Sequence, residues 1–476
     1  MTNYAKFNYF EIQSVFTNAK ILNLYQKWQA VGVSTDSRTI EKGNIFVALK
    51  GENFDGHHKI DEVIQKGAVA AIVSIEWFNS LNFNSLNNSN DLISKDFPLI
   101  IVTDTLIALG ELAFFHRSRF KFPVIAVAGS NGKTSTKELI HSVLSQKYKT
   151  LKTYKNFNNR IGVPLMMLQF SDEYEAAVIE IGTNEPGEIS ILSQMLQPDY
   201  GIITNIGKEH LELLKDLNEV EMEETFLFGQ LLKTGGNCFI NIDDERLSKY
   251  TKVIENNISY GMNETADFTV KIEFTEQLNP IINFTIPYID KNKTYSAKIN
   301  SIGFAIALNA IAAAAVGYGL DLTGEEIVKG LESFESSEDG YARMFVQEKG
   351  SLKILNDCYN ANPSSMEMSL KTLSLFKNAD YKIAVLGDMF ELGESSHSEH
   401  LNVINIAITV ANEVLVIGEN MKLVAEELLT NNSNLQLKIF EQFQAIADYI
   451  KNINHSKVVL VKGSRGMKME NLINII

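Results

Sequence analysis

Cysteine is scarce. The 476-residue chain has two, Cys238 and Cys358. Two distant thiols make no disulfide framework, no C-x-x-C pair offers itself to a metal, and a reducing compartment fits best. An excess of positive charge is also absent: Lys plus Arg number 43 against 58 Asp plus Glu, a formal charge of -15. That argues against nucleic acid as a partner, whose binders carry a basic surface. A local loop can still hold phosphates inside an acidic protein. The first residues, MTNYAKFNYFEIQ, lack a basic segment followed by an apolar stretch, so no secretory signal is expected and the chain is read as cytoplasmic. Long apolar runs are nearly missing. Ser301 to Leu320 is Ala-rich, contains Asn309 and several glycines, and lacks flanking basic anchors. A buried helix is expected there, not a membrane span. No tandem repeat is visible.

What is present is ordinary globular composition, 45% hydrophobic and 21% charged. At roughly 150 residues per domain the length suggests about three domains, here divided as 1–121, 122–335 and 336–476. Residues 31–120 read as short strands and helices, with the Asn/Ser-rich stretch Asn79 to Asn90 as a surface loop. VIAVA (Val124 to Ala128) is a short β-branched run followed by a glycine loop and a helical pattern. AAVIEIG (Ala176 to Gly182) and YGIITNIG (Tyr200 to Gly207) are further buried strands ending in polar loops. Such alternation predicts an α/β protein with parallel sheets and ligands at the carboxyl ends of the strands. Residues 263–300 alternate and read as an antiparallel meander. Residues 330–342, containing ESSEDG, read as a linker. From Lys353 the βα rhythm returns as a second, Rossmann-like α/β domain: LKILNDCY, YKIAVLGD, EVLVIGE and KVVLVKGS.

AGSNGKTST (Ala128 to Thr136) lies between strand and helix, where a phosphate loop belongs. The generic GxxxxGK[ST] pattern asks for glycine at position 127, which is Val127, so the loop is the shorter GxxGKT form. Its glycines, Gly129 and Gly132, let backbone N–H groups close around phosphate oxygens, with Ser130, Asn131 and Ser135 alongside. Lys133 would reach the β/γ phosphates and Thr134 would offer a hydroxyl to Mg²⁺. The helix N-terminus adds favourable partial charge. ATP and Mg²⁺ are therefore the expected cofactors.

The short loop resembles that of the Mur ligases and their relatives the folylpolyglutamate synthases, and the resemblance extends over most of the chain. STDSRTIEKGNIFVALKGENFDGHHKI (Ser34 to Ile60) is similar to the uridine-nucleotide-binding segment of Mur ligases, with Asp36, Ser37 and Arg38 as its DSR signature. NFNNRIGVP (Asn156 to Pro164) matches a family loop near substrate and γ-phosphate, through Asn158 and Asn159. VIEIGTNEPGEI carries Glu180, and TNIGKEHLE carries His210; the resemblance implies that Glu180 holds Mg²⁺ with Thr134 and that His210 holds a second metal. Arg343, Asp357 and Asn309 would contact the nucleotide. Asn360 and Asn362 in YNANP, with Lys462, Ser464 and Arg465, would face substrate. YNANP and GDMFELG resemble the D-alanyl-D-alanine-adding branch in particular.

The resemblance implies three domains: one for UDP-muramoyl tripeptide, one for ATP, one for the incoming amine D-alanyl-D-alanine. It implies ligation through an acyl phosphate, with Lys133, Glu180 and His210 as the catalytic set; a monomer is expected. Two departures stand out. Where the family has a carbamate-modified lysine, this chain has Glu224. Leu217, Val220, Leu227 and Leu231 share its helical stripe, so Glu224 is expected to face inward as an anionic metal ligand, since a buried unpaired carboxylate is costly; a paired structural glutamate, or a register slip that brings Glu221 or Glu223 forward, is the alternative. Where the family has Gly-x-His-Asn-x-x-Asn, the His-Asn pair is Ala305-Ile306 and only Asn309 remains, which leaves the adenine contact open. A folylpolyglutamate synthase-like ligase and a catalytically silent nucleotide-binding homologue are the alternatives.

Overall fold

The computed structural model describes residues 3, 5–23, 28–81, 97–287, 290–335, 344–376 and 381–476. The chain divides into two compact units. One comprises 1–126, 149–182 and 188–199, the other 127–148, 183–187 and 200–476.

The first unit is built on a five-stranded sheet in the order Lys20–Leu22, Leu99–Val102, Ala70–Ser74, Ile45–Val47, Val33–Ser34. All neighbours are parallel except the first pair. The strands are short β-branched runs, and Phe46, Val73, Leu99 and Ile101 pack with Ile60, Val63 and Phe78 from helices Ile60–Gln65 and Ile75–Ser80. Helix Thr105–Arg117 starts where Asp104 accepts the N–H groups of Leu106 and Ile107, a side-chain N-cap. The same unit pairs Thr150–Lys152 with Ala176–Glu180 in parallel. The expected loop 79–90 begins later than read: Asn79 and Ser80 close helix Ile75–Ser80, which Ser74 caps, and residues 82–90 lie outside those described.

In the second unit Tyr200–Ile203, Asn237–Asn241 and Asn257–Gly261 run parallel. Phe268–Phe274, Pro280–Ile286 and Asp290–Lys298 then form the expected antiparallel meander. The Ala-rich segment is helix Phe304–Gly319, with eleven consecutive or near-consecutive positions from Ile306 to Gly317 buried. Among the described residues no helix is long and apolar enough to cross a membrane.

The C-terminal sheet orders Phe345–Lys349, Leu352–Asn356, Lys457–Lys462, Tyr381–Gly387, Glu413–Ile417, Leu437–Phe440, parallel after the first antiparallel pair. Period-two alternation gives it two cores. Leu355, Leu386, Val416 and Leu460 pack on one face with Met366 and Val403, and Ile354, Val385, Leu415 and Val459 on the other with Ile446 and Leu472. The expected linker 330–342 begins inside helix Gly324–Glu332, whose capping box of Thr323 and Glu326 carries it that far; residues 336–342 lie outside those described.

Candidate active site

The phosphate loop follows strand Val124–Ala128. In the second unit Thr204 donates its N–H to Ala128 C=O (3.0 Å), Ser130 N–H reaches Asn205 C=O (3.0 Å) and Asn131 N–H reaches Asn205 Oδ1 (3.1 Å). Helix Lys133–Leu144 begins immediately after Gly132. Gly129 (φ +111°) and Gly132 (φ +82°) take backbone conformations that a side chain resists. A Cβ on Gly129 would lie 2.4 Å from Thr204 Oγ1, and one on Gly132 would lie 2.5 Å from Asn309 Oδ1. Asn309 therefore packs directly on the loop. The bend, the helix N-terminus and the small residues make the cradle that a nucleotide phosphate needs. Lys133 Nζ donates to Gly129 C=O and Ser130 C=O and stands 3.6 Å from Glu209 Oε2.

Helix Leu217–Thr234 brings carboxylates to this loop. It is capped by Asp216 at its start and by Gly235 at its end. Its apolar stripe is Val220, Leu227, Phe228 and Leu231, and Glu224 lies on it with no exposed surface, as its spacing predicts. Glu224 Oε2 accepts the Gly129 N–H at 2.7 Å. Two neighbours are buried as well. Glu221 is held by Arg246 (2.9 Å), Lys249 (2.5 Å) and the Tyr250 hydroxyl (2.8 Å), and Glu223 Oε2 accepts Gly187 N–H at 2.6 Å. Burial pushes the Glu209 and Glu224 carboxyls above the usual carboxylate range; Lys133 pulls both back, and the neighbouring Glu224 charge raises Glu209 further.

His210, at φ +49°, pairs its Nδ1 with Glu391 Oε2 at 2.7 Å; Glu391 also has a positive φ, +61°. Glu212 N–H donates to Glu391 C=O (3.1 Å), and Lys208 pairs with Glu399 at 2.6 Å. Asn362 Nδ2 donates to Asn131 Oδ1 at 2.9 Å, so YNANP touches the phosphate loop. Asn362 also caps helix Pro363–Ser374. Lys462, with only 3% of its side chain exposed, turns inward: its Nζ meets Asp357 Oδ2 at 2.6 Å and Asn360 C=O at 3.0 Å. Ser464 Oγ accepts Phe390 N–H (2.8 Å) and donates to Ala361 C=O. Arg465 is largely exposed and pairs with Glu470 at 3.2 Å. Phe304 and Lys371 flank Ala305-Ile306: the ammonium stands 3.5 Å from the Phe304 ring centre. Arg343 lies outside the described residues.

In the first unit Arg38 and Asp36 form an exposed fork (2.6 Å), which holds the Asp36 carboxyl down at about 2. Ser37 is buried, its carbonyl accepting from Lys66 Nζ. Glu180 is buried at the end of its strand, its N–H on Thr153 Oγ1 (2.8 Å), and Asn158 Nδ2 donates to Glu180 Oε1 (3.0 Å). Asn159 caps its own turn, accepting from Ile161 and Gly162 N–H. Among the described residues no group of three or more His, Cys, Asp or Glu is gathered as a metal site. Sequence reasoning did not single out Glu209 or Glu391. Both sit in strings it quoted, but their partners Lys133 and His210 lie far from them or across the fold.

Three family models cover the chain: "Mur ligase family, catalytic domain" over 29–118, "Mur ligase middle domain" over 127–317 and "Mur ligase, glutamate ligase domain" over 342–465. A Bacillus subtilis protein named UDP-N-acetylmuramoyl-tripeptide–D-alanyl-D-alanine ligase is 31% identical over 94% of this chain and 93% of its own length. The chain belongs to the Mur ligase family. The Escherichia coli protein of the same name is also 31% identical, over 93% of this chain and 92% of its own. Among solved structures, MurF from Acinetobacter baumannii superposes with a TM-score of 0.83 at 28% identity, covering 100% of this chain and 99% of its own. MurF ligase from Thermotoga maritima in complex with ADP gives 0.77 at 26%, covering 93% and 96%. The three-domain α/β architecture and the ATP-dependent ligase class expected from the Mur resemblance are those of the family. The phosphate cradle fits a nucleotide. Glu209 Oε1 and Glu224 Oε1, buried without a hydrogen-bond donor, fit a divalent cation nearby.

Proposed function

We propose that the chain joins D-alanyl-D-alanine to the terminal carboxylate of a UDP-muramoyl tripeptide at the expense of ATP, in peptidoglycan precursor synthesis. What carries the reading is a built phosphate loop in a chain aligned almost end to end with ligases of that name. The reaction belongs in the cytoplasm, and the protein acts as a monomer.

A carboxylate and an amine do not condense at neutral pH unaided. A carboxylate oxygen attacks the γ-phosphorus, ADP leaves, and an acyl phosphate forms. The dipeptide amine then attacks the acyl carbon, phosphate leaves and the amine gives up its proton. The protein positions the partners and neutralises charge. Gly129 to Ser135, with Asn309 and Asp357, would hold ATP, and Lys133 would move from its loop carbonyls to the transferring phosphate. Thr134, Glu180, His210 and Glu224 would hold Mg²⁺, which supplies charge neutralisation. Asp36, Ser37 and Arg38 would hold the uridine nucleotide. Asn158, Asn159, Asn360, Asn362, Ser464 and Arg465 would line the substrate path, and Lys462 would act by fixing Asp357.

The test is phosphate release from ATP with Mg²⁺ and UDP-muramoyl tripeptide, with and without D-alanyl-D-alanine. The expected result is release dependent on the dipeptide and a product with the mass of the pentapeptide. No release from folded protein would defeat the reading.

A further inference from the structure

The helix that carries Glu224 shows how this chain satisfies a buried glutamate when structure alone is at stake. Glu221 has three donors and Glu223 has a backbone N–H. Glu399 and Glu413 also keep one undonated oxygen, but each has a lysine, Lys208 or Lys438. Glu209 and Glu224 are different. They are 7% and 0% exposed, and they face one ammonium between them. Glu224 Oε2 is held by Gly129 N–H, Glu209 Oε2 faces Lys133 Nζ at 3.6 Å, and the second oxygen of each is buried with no donor. Two buried carboxyls against one lysine cannot both ionise without cost, and a divalent cation between them would remove that cost.

We propose that Glu209, together with Glu224, forms a two-carboxylate seat for a divalent cation against the phosphate loop. Glu209 is thus a ligand beyond the set inferred from family resemblance. The chemistry suits Mg²⁺ or Mn²⁺, which take one or two carboxylates and fill their remaining positions with water and nucleotide phosphate oxygens. Lys133 stops 3.6 Å from Glu209. Its amine rests on the Gly129 and Ser130 carbonyls, and a cation between the acids would free it for phosphate.

The inference rests on the nucleotide-binding reading of the loop, and its test is separate from ligation. Mn²⁺ binding to the full chain is measured by the electron paramagnetic resonance of free Mn²⁺ at fixed ADP, and ADP binding is measured in EDTA. Glu209→Gln should weaken Mn²⁺ at least about tenfold, the scale of losing a metal-site partner, while ADP affinity in EDTA holds. Glu209→Asp should fall between. In thermal unfolding, Glu209→Gln without metal should be at least as stable as the parent, because a neutral amide replaces a carboxyl whose ionised form burial disfavours, and should lose most of the Mn²⁺-induced rise in midpoint. Unchanged Mn²⁺ affinity, or an equal loss of ADP binding in EDTA, overturns the proposal. Dipeptide-dependent phosphate release by the unmodified chain judges the ligase reading independently.

Discussion

Gly129→Ala is the sharpest available test of the phosphate loop, because the structure supplies its own control. At φ +111° an added Cβ would stand 2.4 Å from Thr204 Oγ1, 2.7 Å from Thr204 N and 3.1 Å from Asn205 N. Two of these three atoms are backbone of the adjoining segment and cannot rotate aside. Left-handed backbone costs a residue with a Cβ about 1–2 kcal/mol, and overpacking adds about 1–3, so the total is about 2–5 kcal/mol. Gly235 caps helix Leu217–Thr234 at φ +74° with nothing within 4 Å of its Cβ position. Gly235→Ala therefore carries the conformational part alone, about 1–2 kcal/mol. Gly132→Ala should fall between the two, since the atom it meets, Asn309 Oδ1 at 2.5 Å, ends a side chain that can turn. Thermal unfolding of the three variants, each with and without ADP, reads both stability and cradle. The order of loss should be Gly129, Gly132, Gly235, with the ADP-induced rise in midpoint abolished for Gly129→Ala and kept for Gly235→Ala. Equal losses for Gly129→Ala and Gly235→Ala would refute the claim that the loop is closed by contact with Thr204.

Burial holds His116 down at about 4, with its Nε2 on Phe170 C=O at 2.9 Å. The unfolded chain takes up that proton near 6.5, so the folded state should lose stability as pH falls from about 6.5 to about 4 and no further from this group. His116→Gln should flatten that part of the stability profile. Lys462→Met leaves Asp357 with the Ser369 hydroxyl but no cation and should cost about 3 kcal/mol, in line with breaking a buried pair. Adding Asp357→Asn should recover a good part of it in denaturant unfolding, and a double variant no better than the single would disprove the pairing. Asp36 should titrate near 2 by carboxyl-detected NMR and return towards its ordinary value in Arg38→Ala. Its stabilisation is complete above about 4 and lost as pH falls through 2, but the exposed fork should leave unfolding midpoints near neutral pH unchanged.

The strands and the phosphate loop were legible because their signals are local: β-branched runs of four to six residues, each closed by a polar or glycine turn, and a Lys-Thr pair opening a helix. The inward turn of Glu224 was legible too, since a 3.6-residue period fixes which side chains share a stripe. That the same helix buries Glu221 and Glu223 was not. Their partners Arg246, Lys249, Tyr250 and Gly187 come from other elements, and periodicity alone puts both acids off the stripe. The inward turn of Lys462 was not legible either. The resemblance implies that it faces substrate, and the fold turns its ammonium onto Asp357, 105 residues earlier. Asn159 was read for substrate, and its side-chain oxygen also accepts the Ile161 and Gly162 N–H groups of the turn that it starts.

These cases share a direction. In each, a polar residue named from its string is held by a donor or acceptor that the string does not contain, and the question becomes whether that hold is the purpose or a resting position. Burial separates the two. Lys462 and Asp357 satisfy each other with almost no solvent on the lysine, so breaking the pair gains nothing for a ligand; its role is to fix the YNANP turn, which in turn reaches Asn131 through Asn362. His210 and Glu391 are a half-exposed pair, 27% and 60%, with both backbones at positive φ. Strain of about 1–3 kcal/mol per such residue persists only where surroundings enforce it, and an exposed ion pair returns about 1 kcal/mol or less. Backbone bonds supply the rest of the hold: Leu213 and Leu214 N–H donate to His210 C=O, and Glu212 N–H donates to Glu391 C=O. A half-exposed pair that returns so little could exchange its partner for a ligand at little cost, whereas the buried Lys462–Asp357 pair could not.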